Sequence, residues 1–260
     1  MKVKAVLHVI EYDFKNFFRY RWFVVGLIAM NLADLFISAI VFTQMTKDIP
    51  GFDYFQFFAP GLAVVGLFAS AFMIGREVNM EVRREIHHYL LSLPMTRMEL
   101  AIGRVLAGGL RGMLYMTPLL ITNFIVLRFP TVPELLLILL TLLLLAVGTS
   151  GISISIALST TSFEKFVTAR GVVYYMLFFC SSVFYPLWVI QEVLVAKGLG
   201  ILVVFAQVNP LTNGSDMIRS FLLNSSDYAF SPLMLLNVAV FSLMFASLAV
   251  FAYMKILQRH

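Results

Sequence analysis

Residues 81–104, EVRREIHHYLLSLPMTRMELAIGR, gather the groups of this 260-residue chain most able to do chemistry. His87 and His88 are chemically suited to hold a metal or move a proton. Adjacent residues of a helix point about 100° apart, whereas a helical zinc pair needs i, i+4 spacing. The two histidines therefore make no metal site. Cys180 is the only cysteine, so no intrachain disulfide exists. The pattern Gly-x-x-x-x-Gly-Lys-Ser/Thr, whose backbone cradles ATP phosphates, does not occur. An embedded enzyme would need His, Asp, Glu or Cys clustered about one cavity, and the sequence suggests no such cluster. The expectation is a chain that is not an enzyme and binds no cofactor. Its charged stretch then reads as a handle for another protein, with a solvated loop that merely keeps positive charge on one side of a membrane as the alternative.

The flanks of that handle are nearly pure hydrocarbon. Hydrophobic residues make up 60% of the chain, charged residues 13%, and the mean hydropathy is +0.91. Soluble domains are nearer half apolar and a quarter charged, and a chain of this length cannot build a core to hide so much apolar surface. The sequence therefore predicts an all-α integral membrane protein. Apolar runs approaching or exceeding the roughly 20 residues needed to cross a bilayer predict six spans, at 22–43, 57–75, 103–127, 135–158, 171–189 and 232–254. The apolar piece at 199–205 is too short to cross. It lies between Pro186 and Pro210, which predicts a re-entrant helix pair over 188–205, tolerated at membrane depth where protein or water covers it. No repeat, linker or low-complexity tract interrupts the chain, so residues 1–260 read as one domain. Within it, 1–21 form an interfacial helix, 76–102 the handle region, and 188–231 the re-entrant and outer segment. The N-terminus lacks the form of a secretory signal.

Lysines and arginines set the orientation. With the N-terminus inside, 14 of the 19 fall on one side: Lys2, Lys4, Lys15, Arg19 and Arg21, then Arg76, Arg83, Arg84, Arg97 and Arg104, then Lys165, Arg170, Lys255 and Arg259. Both termini are thereby expected in the cytoplasm of a multi-pass protein of the cell membrane. This asymmetry accounts for the net charge of +5 without invoking nucleic acid.

Two elements should lie on the cytoplasmic face. Val82, Ile86, Tyr89, Leu90 and Leu93 recur at helical spacing, predicting an amphipathic helix over 82–93 that Pro94 ends. Thr96 and Glu99 then form a capping box that starts the helix of the third span. Near the N-terminus, Val3, Val6, Leu7, Ile10, Phe14, Phe17 and Phe18 make one face, while Lys4, His8, Glu11 and Lys15 make the other. This is the pattern of a helix lying in the plane of the lipid interface.

Two charges fall well inside expected spans, Asp34 in the first and Arg111 in the third. Their depths differ by about 6 Å at 1.5 Å per residue, a gap an arginine side chain covers. A structural ion pair is the favoured reading. A substrate or ion contact, and a solvated or protonated Asp34, are the alternatives. Aromatic residues crowd the outer end of the second span, among them Phe55, Phe57 and Phe58, and again at Phe184, Tyr185 and Trp188. They read as an interfacial belt or, in the sharper alternative, as a pathway whose rings stack on ligands. Small residues at four-residue spacing, such as Gly108 with Gly112 and Gly151 with Ser155, favour close helix packing, within the chain by default and across a dimer contact as the alternative. Asn213-Gly-Ser matches the glycosylation pattern, a match common by chance.

Three pieces together resemble the permease subunit of type-2 ABC exporters, the group of drug-resistance and polysaccharide or nodulation-factor export permeases. They are FFAPGLAVVGLFASAF, REIHHYLLSLPMTRMELAIGRVL and NPLTNGSDMIRSFL, in that order on six spans. The resemblance implies a dimer of permease chains, with a second copy or a sister permease, served by two cytoplasmic ATPase subunits that carry the ATP and Mg. It also implies a coupling helix after the second span, seated in a groove of the ATPase. The contact residues would then be Arg83, Arg84, Glu85, His87, His88, Leu91 and Pro94. Where the family often carries a Gly-Thr-Leu-Glu-like run, this chain has Ile86-His87-His88-Tyr89, which points to a contact surface particular to its own partner. The implied activity is ATP-driven export of a hydrophobic or amphiphilic cargo such as a drug, lipid or glycan. An ATP-independent secondary transporter or channel is the alternative; it would be supported by an inverted repeat and several intramembrane charges, and neither is evident.

Overall fold

A computed structural model describes residues 2–19, 21–45, 53–86, 95–160, 162–223 and 228–258. Among them the regular structure is helical, with no strand. The chain opens with α1 (Val3–Arg19) and α2 (Arg21–Met45). Asp53 caps α3 (Tyr54–Phe72), accepting from the Phe55 and Gln56 amides, and only Met73 separates α3 from α4 (Ile74–Arg83). The Thr96–Glu99 capping box is present as expected and starts α5 (Arg97–Val126). A second box, Thr131 with Glu134, starts α6 (Val132–Ser159). Then follow α7 (Phe163–Phe179), α8 (Leu187–Ala196), α9 (Gly200–Val208), α10 (Pro210–Leu222) and α11 (Pro232–Gln258).

Among the described residues, four elements are long and apolar enough to cross a membrane: Tyr54–Arg83 (α3 with α4), Arg97–Val126, Val132–Ser159 and Pro232–Ile256. They cover the expected spans at 57–75, 103–127, 135–158 and 232–254. The expected first span coincides with α2, a single 25-residue helix. At the expected span 171–189 the helix has other bounds. Its helix α7 begins at Phe163, where the Ser162 hydroxyl accepts from the Lys165 amide, and stops at Phe179. It stops there because the Asn209 amide donates to the Leu177 and Cys180 carbonyls at 2.8 and 2.9 Å. The Ser182 amide, too, turns to Thr212 Oγ1 instead of continuing the helix. A short helix pair does follow, α8 and α9, joined through Gly198 at φ +71°, a conformation in which a Cβ would be strained.

The core is layered about α3. In its apolar window 89% of residues are buried, against 17% for α11, which lies at the edge of the bundle on α6. Phe57, Phe58, Phe68 and Phe72 of α3 pack with Leu119 of α5, Leu142 and Leu145 of α6 and Leu211 and Ile218 of α10. At the opposite end a second cluster joins Val9, Ile74, Val78, Leu100, Val105, Phe166 and Tyr253. The small residues work within the chain, as the spacing suggested. A Cβ on Gly112 would stand 2.9 Å from Ala71 Cβ, and one on Gly151 would stand 2.6 Å from the Phe245 backbone. Asn213 is buried and donates to the Gln207 and Asn209 carbonyls, so its glycosylation match is fortuitous.

The amphipathic helix expected over 82–93 is not continuous. α4 ends at Arg83, and Glu85 takes a left-handed φ of +58°, turning the chain before Ile86. Side-chain periodicity is blind to one residue leaving helical dihedrals, because Val82 and Ile86 remain half-buried on either side of the turn. Residues 87–94 lie outside the described residues.

Candidate functional site

The handle region leaves the bundle at the C-terminal end of α4, and that end is tied to three other elements. Glu77 and Glu81, one turn apart on α4, face Arg104 and Arg111, two turns apart on α5. Arg111 grips Glu77 through two bonds, Nη1 to Oε2 at 2.7 Å and Nη2 to Oε1 at 2.6 Å. Arg104 Nη2 donates to Glu81 Oε1 at 2.5 Å. Asp13 reaches in from α1 and bridges both arginines, Oδ1 accepting from Arg104 Nη1 at 3.0 Å and Oδ2 from Arg111 Nη1 at 3.3 Å.

Asp13 and Arg104 are each 1% exposed and Arg111 3%. Burial pushes the Asp13 carboxyl up, while the guanidiniums of Arg111 and Arg104 draw it down. Aromatic faces complete the arginine shells, with Phe17 4.7 Å from Arg111 and Tyr12 5.7 Å from Arg104.

Asp13 reaches its partners because α1 has three faces. Val6, Val9 and Asp13 are buried on the bundle, where Val9 sits in the space left by Gly103 of α5. Val3, Leu7 and Phe18 stand exposed, and Lys4, His8, Glu11 and Lys15 point to a third side. The two-faced helix read from the sequence is thus corrected: part of its apolar set packs on protein. The start of α1 is also fastened, since the Lys2 amide donates to Glu99 Oε1 at the head of α5.

On the far side of α4, buried Asn79 donates to the Ala157 carbonyl near the end of α6 at 3.1 Å and accepts from Arg83 Nε at 3.0 Å. Arg83 is exposed, with Phe163 at the head of α7 5.9 Å from its guanidinium. Beside the charge cluster opens a cavity of about 550 Å³, lined among others by Tyr12, Phe17, Arg76, Glu77, Arg84 and Ile86. α4 is therefore clamped to α1 and α5 by ion pairs and to α6 by the Asn79 hydrogen bond, with its free end at the turn through Glu85.

Of the expected handle residues, Arg83, Arg84 and Glu85 are exposed at that turn. His87, His88, Leu91 and Pro94 lie outside the described residues. Arg111 is paired, but its partners among the described residues are Glu77 and Asp13; the side chain of Asp34 lies outside them. Sequence reasoning misses Asp13, Glu77, Glu81 and Arg104 as site residues; Arg104 enters it only as one of the charges that set the orientation.

The aromatic set divides. Phe57 and Phe58 are core residues, 2% and 1% exposed, so they make no lipid-facing belt; Phe58 packs 5.5 Å from Phe184. Phe55 and Phe184 are half-buried, while Tyr185 and Trp188 stand exposed. Phe57 lies under a second polar knot. Arg219 of α10 is fully buried, its guanidinium 3.8 Å from the Phe57 ring. It donates to Asp216 Oδ1 at 2.7 Å, to the Phe57 carbonyl at 3.0 Å and to the Val183 carbonyl at 3.2 Å. The stretch NPLTNGSDMIRSFL is thus a structural plug: Asn209 caps α10 by accepting from the Leu211 amide, and Arg219 ties α10 to α3 and to the segment after α7.

Among the described residues no group of His, Cys, Asp and Glu could hold a metal ion. A comparison with curated proteins returns no match. The model of the ABC-2 type transporter family matches residues 4–223, from α1 to the end of α10. With that match and its apolar crossing helices, the chain is a multi-pass membrane protein and a transport component, and it belongs to the ABC-2 type transporter family.

Proposed function

We propose that the chain is the permease subunit of an ATP-driven exporter, crossing the cell membrane six times with both termini in the cytoplasm. α2 supplies one further crossing; its 25 residues extend about 37 Å at 1.5 Å per residue. α7 supplies the other, with the non-helical residues that follow it; α8 and α9 form the re-entrant pair. The chain works as a dimer with a second copy or a sister permease. Two separate ATPase subunits hold ATP and Mg and dock at residues 83–94, and the cargo is hydrophobic or amphiphilic.

The observation that carries this reading is the clamping of α4. A ligand or partner shifts a conformational equilibrium only through contacts that differ between states. A partner that moves the exposed turn at Arg83 to Glu85 pulls on Glu77, Asn79 and Glu81, and through them on α1, α5 and α6. The handle is thus connected to the crossing helices by short, buried, directional bonds.

Charge reversal at Arg83 and Arg84 tests it. The chain is purified from its native membranes in mild detergent, and co-eluting proteins are identified. Near-stoichiometric recovery of a subunit with a phosphate-binding loop, lost in R83E/R84E while insertion persists, is the expected result. A chain that elutes alone even after crosslinking, or a variant that keeps its partner and exports normally, would overturn it.

A further inference from the structure

Two arginines near the charge cluster take no part in it. Arg76 of α4 is exposed and Arg170 of α7 half-buried, and neither forms an ion pair among the described residues. They stand at one end of one seam: Phe72, one turn before Arg76, lies 5.5 Å from the Arg170 guanidinium. The Arg170 Nε is buried with no hydrogen-bond partner. The nearest acid in sequence to Arg76, Glu77, is spent on two bonds to Arg111. On α7, Glu164 is exposed and more than a turn and a half away from Arg170. Two like charges held together without a counter-charge repel, and an unpaired buried donor is costly.

What surrounds them is ordered. Phe68, Phe72 and Arg76 follow at four-residue spacing along α3 and α4, as do Arg170, Tyr174 and Phe178 along α7. The two ladders mesh: Phe72 stands 5.5 Å from the Arg170 guanidinium and 5.5 Å edge-on from Tyr174, while Phe68 stacks on Tyr174 at 4.8 Å. The seam is aromatic along its length and cationic at one end. Beside it α7 presents Tyr175 and Phe179, exposed and stacked on each other at 5.9 Å. At the cationic end Arg76 lines the cavity of about 550 Å³.

We propose that Arg76 and Arg170 form a site for the phosphate oxyanion of an amphiphilic ligand whose apolar part lies along Tyr175 and Phe179. A carboxylate saturates one guanidinium fork, whereas a phosphate has enough terminal oxygens to accept from two. The inference rests on the permease reading for its membrane frame and names the chemistry of what that permease handles. A resident lipid headgroup and a free phosphate would satisfy the same arginines.

The full chain, purified in neutral detergent with whatever subunits accompany it, is titrated with dihexanoyl phosphatidic acid, dihexanoyl phosphatidylcholine or inorganic phosphate, and binding is read by thermophoresis. Saturable binding of phosphatidic acid, weakened about tenfold in R170Q and in R76Q, is expected; this is the factor that one lost charge-assisted hydrogen bond corresponds to. R170K, which keeps the charge without the fork, should fall between wild type and R170Q. Equal unfolding temperatures of the ligand-free proteins establish that each variant is folded. Inorganic phosphate binding as tightly as phosphatidic acid, with both weakened in the variants, would keep the oxyanion site and overturn the amphiphile. Binding of phosphatidic acid unchanged in both variants, or phosphatidylcholine bound equally tightly by wild type and variants, would overturn the site. Absence of a co-purifying ATPase would refute the permease reading while leaving this titration intact.

Discussion

Replacing Arg104 by Met is the sharpest test of the charge cluster. The side chain is 1% exposed and holds Asp13 at 3.0 Å and Glu81 at 2.5 Å. Methionine fills much of the same volume but leaves Asp13 with Arg111 alone and Glu81 with no cation among the described residues. Removing one member of a buried ion pair costs about 3–5 kcal/mol, chiefly because the remaining charge stays desolvated. For a chain of this size each kcal/mol lowers the unfolding midpoint by about 2–4 °C, so R104M should melt at least about 6 °C below wild type. The assay is intrinsic-fluorescence melting of the purified chain in one detergent. The triple variant D13N/E81Q/R104M removes the stranded charges together with the arginine and should recover most of the loss. A drop below about 2 °C for R104M, or a triple variant no more stable than the single, would refute the argument that buried pairing holds α1, α4 and α5 together.

R219Q should be comparably destabilising, by about 3–5 kcal/mol, because it strands Asp216 and leaves the Phe57 and Val183 carbonyls without their donor; R219K should not restore the loss, since an ammonium lacks the fork that reaches all three. G151A should cost about 1–3 kcal/mol by driving a methyl against the Phe245 backbone, whereas G171A, with nothing within 4 Å of its Cβ, should melt like wild type. T96A removes the acceptor for the Glu99 amide and should lower stability by about 0.5–2 kcal/mol, read by the same melting assay. N79A should weaken the α4–α6 tie; permease activity should fall while partner co-purification with the R83–R84 handle persists, and unchanged activity would exclude Asn79 from transmission.

The membrane class, the helical content and the long central elements were legible in the residues themselves. Apolar runs of sufficient length admit few alternatives in lipid, since only helices and closed barrels satisfy their own backbones there. The Thr96–Glu99 box was legible because capping is chemistry between residues three apart, and the helix pair before α10 because Pro186 and Pro210 interrupt a run too short to cross. The charge cluster had a faint signal, Glu77 with Glu81 at four-residue spacing and Arg104 with Arg111 at seven, each putting two like charges on one helix face. Nothing local says that those two faces meet, or that Asp13 from 64 residues before Glu77 lies between them.

Sequence by itself thus determined where this chain dissolves and where the Thr96-capped helix begins, because solvent preference and capping depend on residue type and near neighbours. Only the tertiary structure decided which charges are handles and which are bolts. Arg83 and Arg104 read alike along the chain. One stands in the open, and the other is sealed between three helices, because long-range packing alone sets how much water a charge keeps and which partner replaces it.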